Sequence, residues 1–578
     1  MSKDKKLIFS RREYISALGS SAALVAYHTT PFGQLLRNIV RGAINDAHAQ
    51  EMGMLVKNHI AIIHGGAPPQ WPTYSFLIPD ANSGYVHNNS VGNAIVGSTY
   101  AGNGTSFQKS VSGNVPTNEK VRYITEKVTL NKGMGSKEFS IYLPAIWGQT
   151  IPTSSGEFIE MSSILQNAMM MRGVDMLIDL QHQVGPQRMI QPDLNKPSIS
   201  GVVADLSQKM LPAISNKEKL YGFMAPSGMS PVVVQSNGSG NVIANVLGPF
   251  SEPSESSSSS TNRAVMEAVV KEALKELEAY RKSRKPGSSV IYENNRKAEE
   301  MLKKNFGDFN AEYATLKNKY VNLAKGCATP IENITLNHND IQVVNPKGGF
   351  DAPGTQYSIL PANAVDPNGS NLSHYGEQGA LIEFLIKHQL SSSITISGAG
   401  SHTGKFSITS DEHALTNRQA SAISWSFNGR NTMAFLNELK KVAIQYNQWE
   451  DTVIQIGSEY GRRPANSALK DSGGGSDHAT KAGWSFVFSG AIKEPIFVGN
   501  IKINTQPKEN GNMGTWGSNA PTKIEGTNES ISIDINHMAK AITDILEVEC
   551  PIRNVKSILT NDNGVWKSIL EKPKNTDG

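Results

Sequence analysis

Cysteine is almost absent from this chain of 578 residues, in which only Cys327 and Cys550 occur. Two cysteines cannot build a disulfide framework or a cysteine-rich metal site, so both classes of protein are excluded. A single bridge stays open in an oxidising compartment, because the sequence does not give the distance between the two Cα atoms. We favour two unpaired, buried thiols, since free cysteine behaves as a small apolar residue.

An excess of charge of one sign is also missing from most of the chain. The formal net charge is +4, and residues 1–49 hold seven Lys/Arg against three Asp/Glu, which leaves the remainder neutral. Nucleic-acid binding requires a concentrated basic face, so no nucleic-acid partner is expected. The balance of 38% hydrophobic and 18% charged residues is that of a globular protein, and the length predicts one large domain with insertions or two domains.

The N-terminal hydrophobic run is too short to cross a membrane. Ala17–Tyr27 falls well below the roughly 20 residues of a transmembrane helix, and none is predicted in the mature chain. Arg11-Arg12 precedes this run, which is the pattern of twin-arginine export, and Ala47-His48-Ala49 fits a cleavage site. The sequence predicts a signal peptide over 1–49, the twin-arginine translocase as an export partner, and a periplasmic or secreted protein. The alternative is a cytosolic amphipathic helix with a chance Arg-Arg pair.

Apolar runs that suit buried strands alternate with longer segments of helical periodicity. The predicted strands are His59–Ile63, Gly173–Leu180, Ser393–Ser397, Thr452–Ile456 and Trp484–Ser489. The predicted helices are Ser154–Met171, Pro197–Leu211, Asn262–Lys285, Asn294–Ala324, Tyr375–Leu390, Ala414–Asn447 and Asn536–Leu546. This alternation predicts an α/β fold with a mostly parallel sheet flanked by helices.

A serine-rich stretch, Ser251–Thr261, marks the clearest change of composition and reads as a flexible linker. The two helical segments after it predict an inserted helical hairpin. We interpret the hairpin as a charged, solvated insertion rather than a partner-binding coiled coil, because its heptad pattern is short. The predicted organisation is an α/β domain in two parts, 50–250 and 331–555, with the linker and insertion over 251–330 and a loose tail over 556–578.

Polar residues recur where the predicted strands end. Ligands of open α/β sheets bind at the carboxyl ends of the strands, so these residues form the candidate site. Imidazole and carboxylate groups suit zinc, manganese or iron, and a guanidinium binds an oxyanion through paired hydrogen bonds. His64 has a second interpretation as a structural histidine. The candidates are His64, His182, His402, Glu459, Arg462, Arg463, Asp477 and His478.

Several catalytic motifs are missing from the sequence. There is no H-E-x-x-H, no P-loop, no G-x-S-x-G elbow, and no G-x-G-x-x-G after a strand. No nucleophile is identified either, because Ser401 and Ser458 are candidates by position alone. A serine at a strand end more often caps a turn or a helix.

The segment Glu459–Pro464, which reads Glu-Tyr-Gly-Arg-Arg-Pro, together with Gly475-Ser476-Asp477-His478, carries a resemblance. It resembles the twin-arginine-exported, sulfatase-like family of unknown function within the alkaline-phosphatase superfamily. Shorter similarities to that family's motifs lie at Gly65-Gly66, Tyr375-Gly376, Gly398–His402 and Ser489–Lys493. The resemblance covers most of 55–550 in patches.

The resemblance implies an alkaline-phosphatase-like fold and a divalent metal held by His402, Glu459 and His478, with Asp477 in or behind that shell. Two aspartates of the family pattern are missing, since Ala67-Pro68-Pro69-Gln70 and Gly400 stand at their positions. Without those carboxylates a two-metal centre is not expected. One function is therefore a metal-dependent hydrolase of phosphate or sulfate esters, with Arg462 and Asp477 as catalytic residues. The alternative is a non-catalytic relative that binds a ligand or an envelope partner.

Overall fold

The computed structural model describes the part of the chain that forms the central sheet and its helices. The described residues are 57–64, 70, 74–76, 125–130, 139–144, 147, 150–178, 185–207, 214–215, 306–327, 342–344, 356–358, 370–387, 392–397, 418–463, 477–503 and 516–571. The predicted signal peptide, the serine-rich linker and the first limb of the predicted hairpin lie outside them.

The strands are numbered in chain order. They are β1 Asn58–His64, β2 Thr125–Leu130, β3 Phe139–Pro144, β4 Thr150–Pro152, β5 Phe158–Glu160, β6 Ala168–Val174, β7 Ile214–Ser215, β8 Gln342–Val344, β9 Gln356–Ser358, β10 Ser393–Ser397, β11 Thr452–Ser458, β12 Gly461–Arg463, β13 Asp477–Ala479, β14 Gly483–Ser489, β15 Ile496–Val498, β16 Asn500–Ile503, β17 Trp516–Ala520, β18 Thr522–Lys523, β19 Ser530–Ile531, β20 Leu559–Asp562 and β21 Val565–Ser568.

The helices are numbered in the same way. They are α1 Gly185–Ile190, α2 Ile199–Ser207, α3 Phe306–Cys327, α4 Ser370–Lys387, α5 Arg418–Gln445 and α6 Ile535–Ile545, with a 3-10 helix over Met161–Asn167. Two of them begin at caps that the sequence contains. Ser198 Oγ accepts from the Gly201 amide at the start of α2, and Asp534 Oδ1 accepts from the amides of Asn536 and His537 at the start of α6.

A seven-stranded sheet forms the centre of the fold, in the order β15-β6-β14-β11-β1-β10-β7. Strand β1 pairs in parallel with β10 and β11, and β7 is parallel to β10. Strand β14 is antiparallel to both β11 and β6, and β15 is parallel to β6. Six of these seven strands therefore run in one direction, and the predicted α/β class with a mostly parallel sheet is confirmed. The antiparallel course of β14 was not predicted.

Helices cover both faces of the sheet, which explains why β1, β6, β11 and β14 are buried along their whole length. One face, which we call the α6 face, packs Ala61, Ile63, Val453 and Val487 against side chains of α1, α2 and α6. The opposite face, which we call the α5 face, carries Ile60, Ile454 and Phe486. There Tyr74 packs on Phe486 and hydrogen-bonds Thr432 of α5.

The described part of α3 belongs to the main body. Its Tyr320, Leu323 and Cys327 are buried, and the Tyr320 ring packs on Phe435 of α5. Tyr320 Oη and Lys319 Nζ both donate to Glu383 Oε2 of α4 at 2.7 Å. The expectation of a solvated insertion is therefore wrong for this helix, because its apolar residues face α4 and α5 rather than water.

The segment Ser154–Met171 is not the predicted helix. It forms β5, the 3-10 helix and the start of β6, and Met169, Met170 and Met171 are all buried in β6. Successive strand residues point to opposite faces, so a run of three methionines fits a strand whose two faces are both covered. The predicted strand Gly173–Leu180 is also wrong, since β6 ends at Val174 and Leu177 is exposed.

The C-terminal segment is ordered up to Glu571, which corrects the prediction of a loose tail over 556–578. Strands β20 and β21 form a hairpin, and Leu559 and Leu570 are buried in the core of the α6 face. The turn Asp562-Asn563-Gly564 has positive φ at its last two residues, as a tight hairpin requires. Cys327 is buried, Cys550 is half-buried, and both are free thiols.

Candidate functional site

The carboxyl ends of three parallel strands meet at one edge of the sheet. His64, the last residue of β1, pairs with Ser458 at the end of β11, and Ile63 pairs with Ser397 at the end of β10. Glu459 and Tyr460 follow β11 directly and are buried, with 1% and 0% of their surface exposed. This is the edge at which open α/β sheets bind their ligands.

Glu459 leans toward the α6 face. An ideal Cβ on Gly185, the first residue of α1, would lie 2.5 Å from the Glu459 Cβ and 3.3 Å from its Oε2. Only glycine therefore fits at position 185 while the carboxylate keeps its place. The carboxylate is buried where α1 begins, directly after a parallel strand.

Two short strands bring the remaining sequence candidates together. Strand β12 pairs with β13 in antiparallel register, with Arg462 opposite His478 and Arg463 opposite Asp477. These four residues are separated by a loop in the sequence, and backbone pairing alone sets them side by side. Their placement next to Glu459 follows because β12 begins only two residues after it.

Glycine at position 461 is what allows β12 to approach β14. An ideal Cβ there would lie 1.9 Å from the carbonyl oxygen of Ala482 and 3.1 Å from Nε2 of Gln70. Gln70 Nε2 itself donates to that same carbonyl at 3.0 Å. The segment after β1 is thus tied to the turn between β13 and β14 through one buried amide.

We expect Gly461→Ala to lower the free energy of unfolding by about 1–3 kcal/mol, as overpacking of a buried site does, because its methyl group meets backbone rather than a movable side chain. Urea unfolding followed by circular dichroism measures the loss. Gly526→Ala is the control, since Gly526 has a φ of +75° but open space around it. A loss for Gly461→Ala no greater than that of the control would contradict the close approach.

His64 lies in an aromatic environment on the α5 face. Its ring centroid is 5.7 Å from that of Tyr74 and 6.1 Å from that of Trp484, and Tyr74 Oη lies 3.4 Å from His64 Nε2. Burial lowers the pKa of His64 to about 3, so the imidazole is neutral at pH 7. His64 and Glu459 thus contact different sides of the sheet edge.

The other predicted ligands are only partly covered by the structure. His182 and His402 lie outside the described residues, and for Asp477, His478 and Arg462 the structure describes the backbone only. Among the side chains that are described, no group of three His, Cys, Asp or Glu residues stands close enough to hold a metal. Within the same part of the chain, no helix is long and apolar enough to cross a membrane.

Sequence reasoning missed three residues that shape this edge. Tyr74 and Trp484 stack with ring centroids 4.3 Å apart, and Arg172 is fully buried beside them in β6. For Arg172 a signal existed, because a single arginine inside the apolar run Ala168–Val174 is unusual for a buried strand. Tyr74 carried none, since it lies in an irregular segment.

The comparisons with known proteins give no match. No protein-family model matches the chain, and no curated protein and no solved structure matches it significantly.

Proposed function

We propose that the protein is an exported, metal-dependent hydrolase of phosphate or sulfate esters with an alkaline-phosphatase-like fold. The observation that supports the proposal most is the pairing of Arg462 with His478 directly after β11 and Glu459. It collects a carboxylate, an imidazole and a guanidinium at the edge where α/β sheets bind ligands. Export rests on the twin-arginine pattern at Arg11-Arg12.

The donor set proposed for the metal is Glu459, His478 and His402, with Asp477 beside His478. A set of imidazole and carboxylate groups suits a single zinc, manganese or iron ion. Glu459 is buried directly after β11, at the end of the sheet where ligands of α/β folds bind. With Gly400 and the Ala67–Gln70 segment in place of two aspartates, a second ion lacks ligands.

Each chain residue then has a definite task. A bound divalent ion supplies Lewis acidity at the ester. Arg462 binds the anionic oxygens of the phosphoryl or sulfuryl group through charge-assisted hydrogen bonds and orients it. Asp477, the residue before His478 in β13, supplies a further carboxylate to the proposed site.

The test is hydrolysis of aryl phosphate and aryl sulfate esters by the purified protein and two neighbouring variants. Arg462→Ala is expected to lower kcat/KM by about 100-fold or more, because a lost charge-assisted contact in the transition state costs roughly 2.7–4 kcal/mol. Arg463→Ala is the matched control, since it removes the same charge from the neighbouring residue. Equal rates of hydrolysis in both variants would contradict the role of Arg462. Absence of hydrolysis by the native protein would contradict the proposal that it is an enzyme.

A non-catalytic relative of this fold that binds a ligand or an envelope partner is the second candidate. It is favoured by the two missing aspartates, which leave fewer carboxylates than the resemblance implies. A protein can keep its fold after it has lost catalytic ligands, so the fold alone does not make it an enzyme. This candidate predicts binding of the ester without its hydrolysis, so the same assay distinguishes the two.

A further inference from the structure

Four side chains form a row across the α5 face at the carboxyl edge of the sheet. His64 pairs with Ser458, and the last pair of β11 and β14 is Gly457 with Ser485, so Ser458 and Trp484 are the next residues along these two strands. Trp484 in turn pairs with Arg172 of β6. Directly paired residues point to the same face, so His64, Ser458, Trp484 and Arg172 make one row, which we call the edge row.

Two polar atoms of the edge row have no hydrogen-bond partner. Ser458 Oγ and Trp484 Nε1 are both buried, each in a residue with 0% of its surface exposed, and neither finds an acceptor or donor in the described structure. Buried polar groups are almost always hydrogen-bonded, and a buried group without a partner costs free energy. Two such atoms on neighbouring strands point to a group that both of them bind.

The character of the two atoms limits what that group can be. An indole N–H only donates, and a serine hydroxyl can donate alongside it, so the pair suits an acceptor oxygen. Tyr74 stacks on the face of the Trp484 ring and not on its edge, where Nε1 lies. The bound group is therefore an oxygen rather than a cation.

The positive charge of Arg172, at one end of the edge row, favours a negatively charged oxygen as the bound group. Arg172 is fully buried, and among its contacts its guanidinium donates to the carbonyl oxygens of Phe76 and Gly499 and to Asn500 Oδ1. It stands two strands from Ser458, or about 10 Å, at the 4.8 Å spacing of neighbouring strands. The Glu459 carboxylate lies against Gly185, toward the α6 face, and does not share this face with Ser458.

We propose that Ser458 Oγ and Trp484 Nε1 form an oxyanion subsite that binds one oxygen of a phosphate or sulfate group. The subsite deepens the proposed function, on which its place in an ester-binding site rests. It adds two uncharged donors to the guanidinium of Arg462 in the proposed site. Because both atoms are buried, the oxygen enters only when covering side chains such as Tyr74 move, so exchange is slow.

The test is an NMR titration of the full chain with indole-¹⁵N-labelled tryptophan, in which Trp484→Phe assigns one of the seven indole signals. Inorganic phosphate, and sulfate in a parallel titration, is expected to produce a second, downfield Trp484 signal in slow exchange. Ser458→Ala is expected to weaken phosphate binding about tenfold or more, the effect of one lost hydrogen bond to a charged group. The matched control is Ser489→Ala, a buried serine of the same sheet whose Oγ accepts from the Ala491 amide.

Two results would overturn the subsite: a Trp484 signal that ignores both anions at high concentration, or a phosphate affinity that Ser458→Ala leaves unchanged. The titration is run on protein with and without added zinc, which separates this inference from the proposed function. A response of Trp484 in protein that never binds metal would refute only the metal-dependent hydrolase. Stoichiometric metal with a silent Trp484 would refute only the subsite.

Discussion

Arg172→Ala is expected to lower the free energy of unfolding by about 3–5 kcal/mol, as the loss of a large core side chain does. The Arg172 guanidinium donates to two carbonyl oxygens and one amide oxygen and lies 4.6 Å from the centroid of the Phe76 ring. Its removal leaves those acceptors without this donor and opens a cavity beside Phe76, Gly499 and Asn500. Burial lowers the pKa of Arg172 to about 9, so the side chain is still charged at pH 7.

Urea unfolding followed by tryptophan fluorescence measures this effect. Arg188→Ala is the matched control, because Arg188 is part-exposed and bonds only the Leu177 carbonyl, at 3.3 Å, among the described contacts. We expect the control to lose less than about 1 kcal/mol, as surface substitutions do. A loss of similar size in both variants would show that the Arg172 network does not stabilise the sheet.

Acidification from pH 7 to pH 4 is expected to remove about 3 kcal/mol of stability through one buried histidine. His59 Nδ1 lies 2.8 Å from Ser200 Oγ and its Nε2 lies 3.1 Å from Gln455 Oε1, with no exposed surface. Gln455 Nε2 donates to the Met189 carbonyl, so its oxygen faces His59 and accepts from Nε2–H. Ser200 then donates to Nδ1, and the ring is neutral.

The sign of the pH effect follows from the direction of the pKa shift. Burial lowers the pKa of His59 from 6.5 to about 4, against a smaller opposite effect of the Gln455 hydrogen bond. The unfolded chain therefore binds more protons between these two values, and stability falls as the pH drops through that window. The difference between the two pKa values corresponds to about 3 kcal/mol.

His59→Gln tests the assignment, because glutamine keeps a polar group but does not titrate. In the native protein the stability between pH 6.5 and 4 includes the contributions of His59 and of the equally buried His64, on top of that of the carboxylates. The variant is expected to be less stable at pH 7. Between pH 6.5 and 4, its unfolding is expected to take up about one proton fewer than the unfolding of the native protein. An unchanged slope would mean that His59 does not titrate there.

The central strands and most helices were predictable from the sequence because their signals are local. The runs around Ile60, Ile394 and Ile454 are short and rich in β-branched residues, and the strands formed where predicted. The stripe of Ala380, Leu381, Phe384 and Leu385 in α4 is buried as expected. Such patterns depend on neighbours a few residues apart.

The errors arose where distant parts of the chain decide the structure. The segment from Ser154 to Met171 has apolar residues at spacings that fit a helix, but pairing of Met169 and Met171 with β14 and β15 makes it a strand. The C-terminal hairpin is ordered because Leu559 and Leu570 fill a core made by α6 and β6. Neither partner is visible from the local sequence.

For the candidate site, the sequence predicted which residue types gather but not how they are arranged. The pairing of Arg462 with His478 supports the neighbourhood that the motifs indicate. That His64 faces Tyr74 and Trp484 while Glu459 faces Gly185 depends on side-chain direction, which no spacing rule contains. Metal binding by Glu459, His402 and His478 stays a prediction.

Metal content measured by elemental mass spectrometry tests the central claim most directly. The native protein, purified without chelator, is compared with a His402→Ala, His478→Ala double variant and with Glu459→Gln. The account predicts close to one zinc, manganese or iron ion per native chain and a large loss in both variants. A native protein without metal, or a metal content that the substitutions leave unchanged, would contradict the proposed centre.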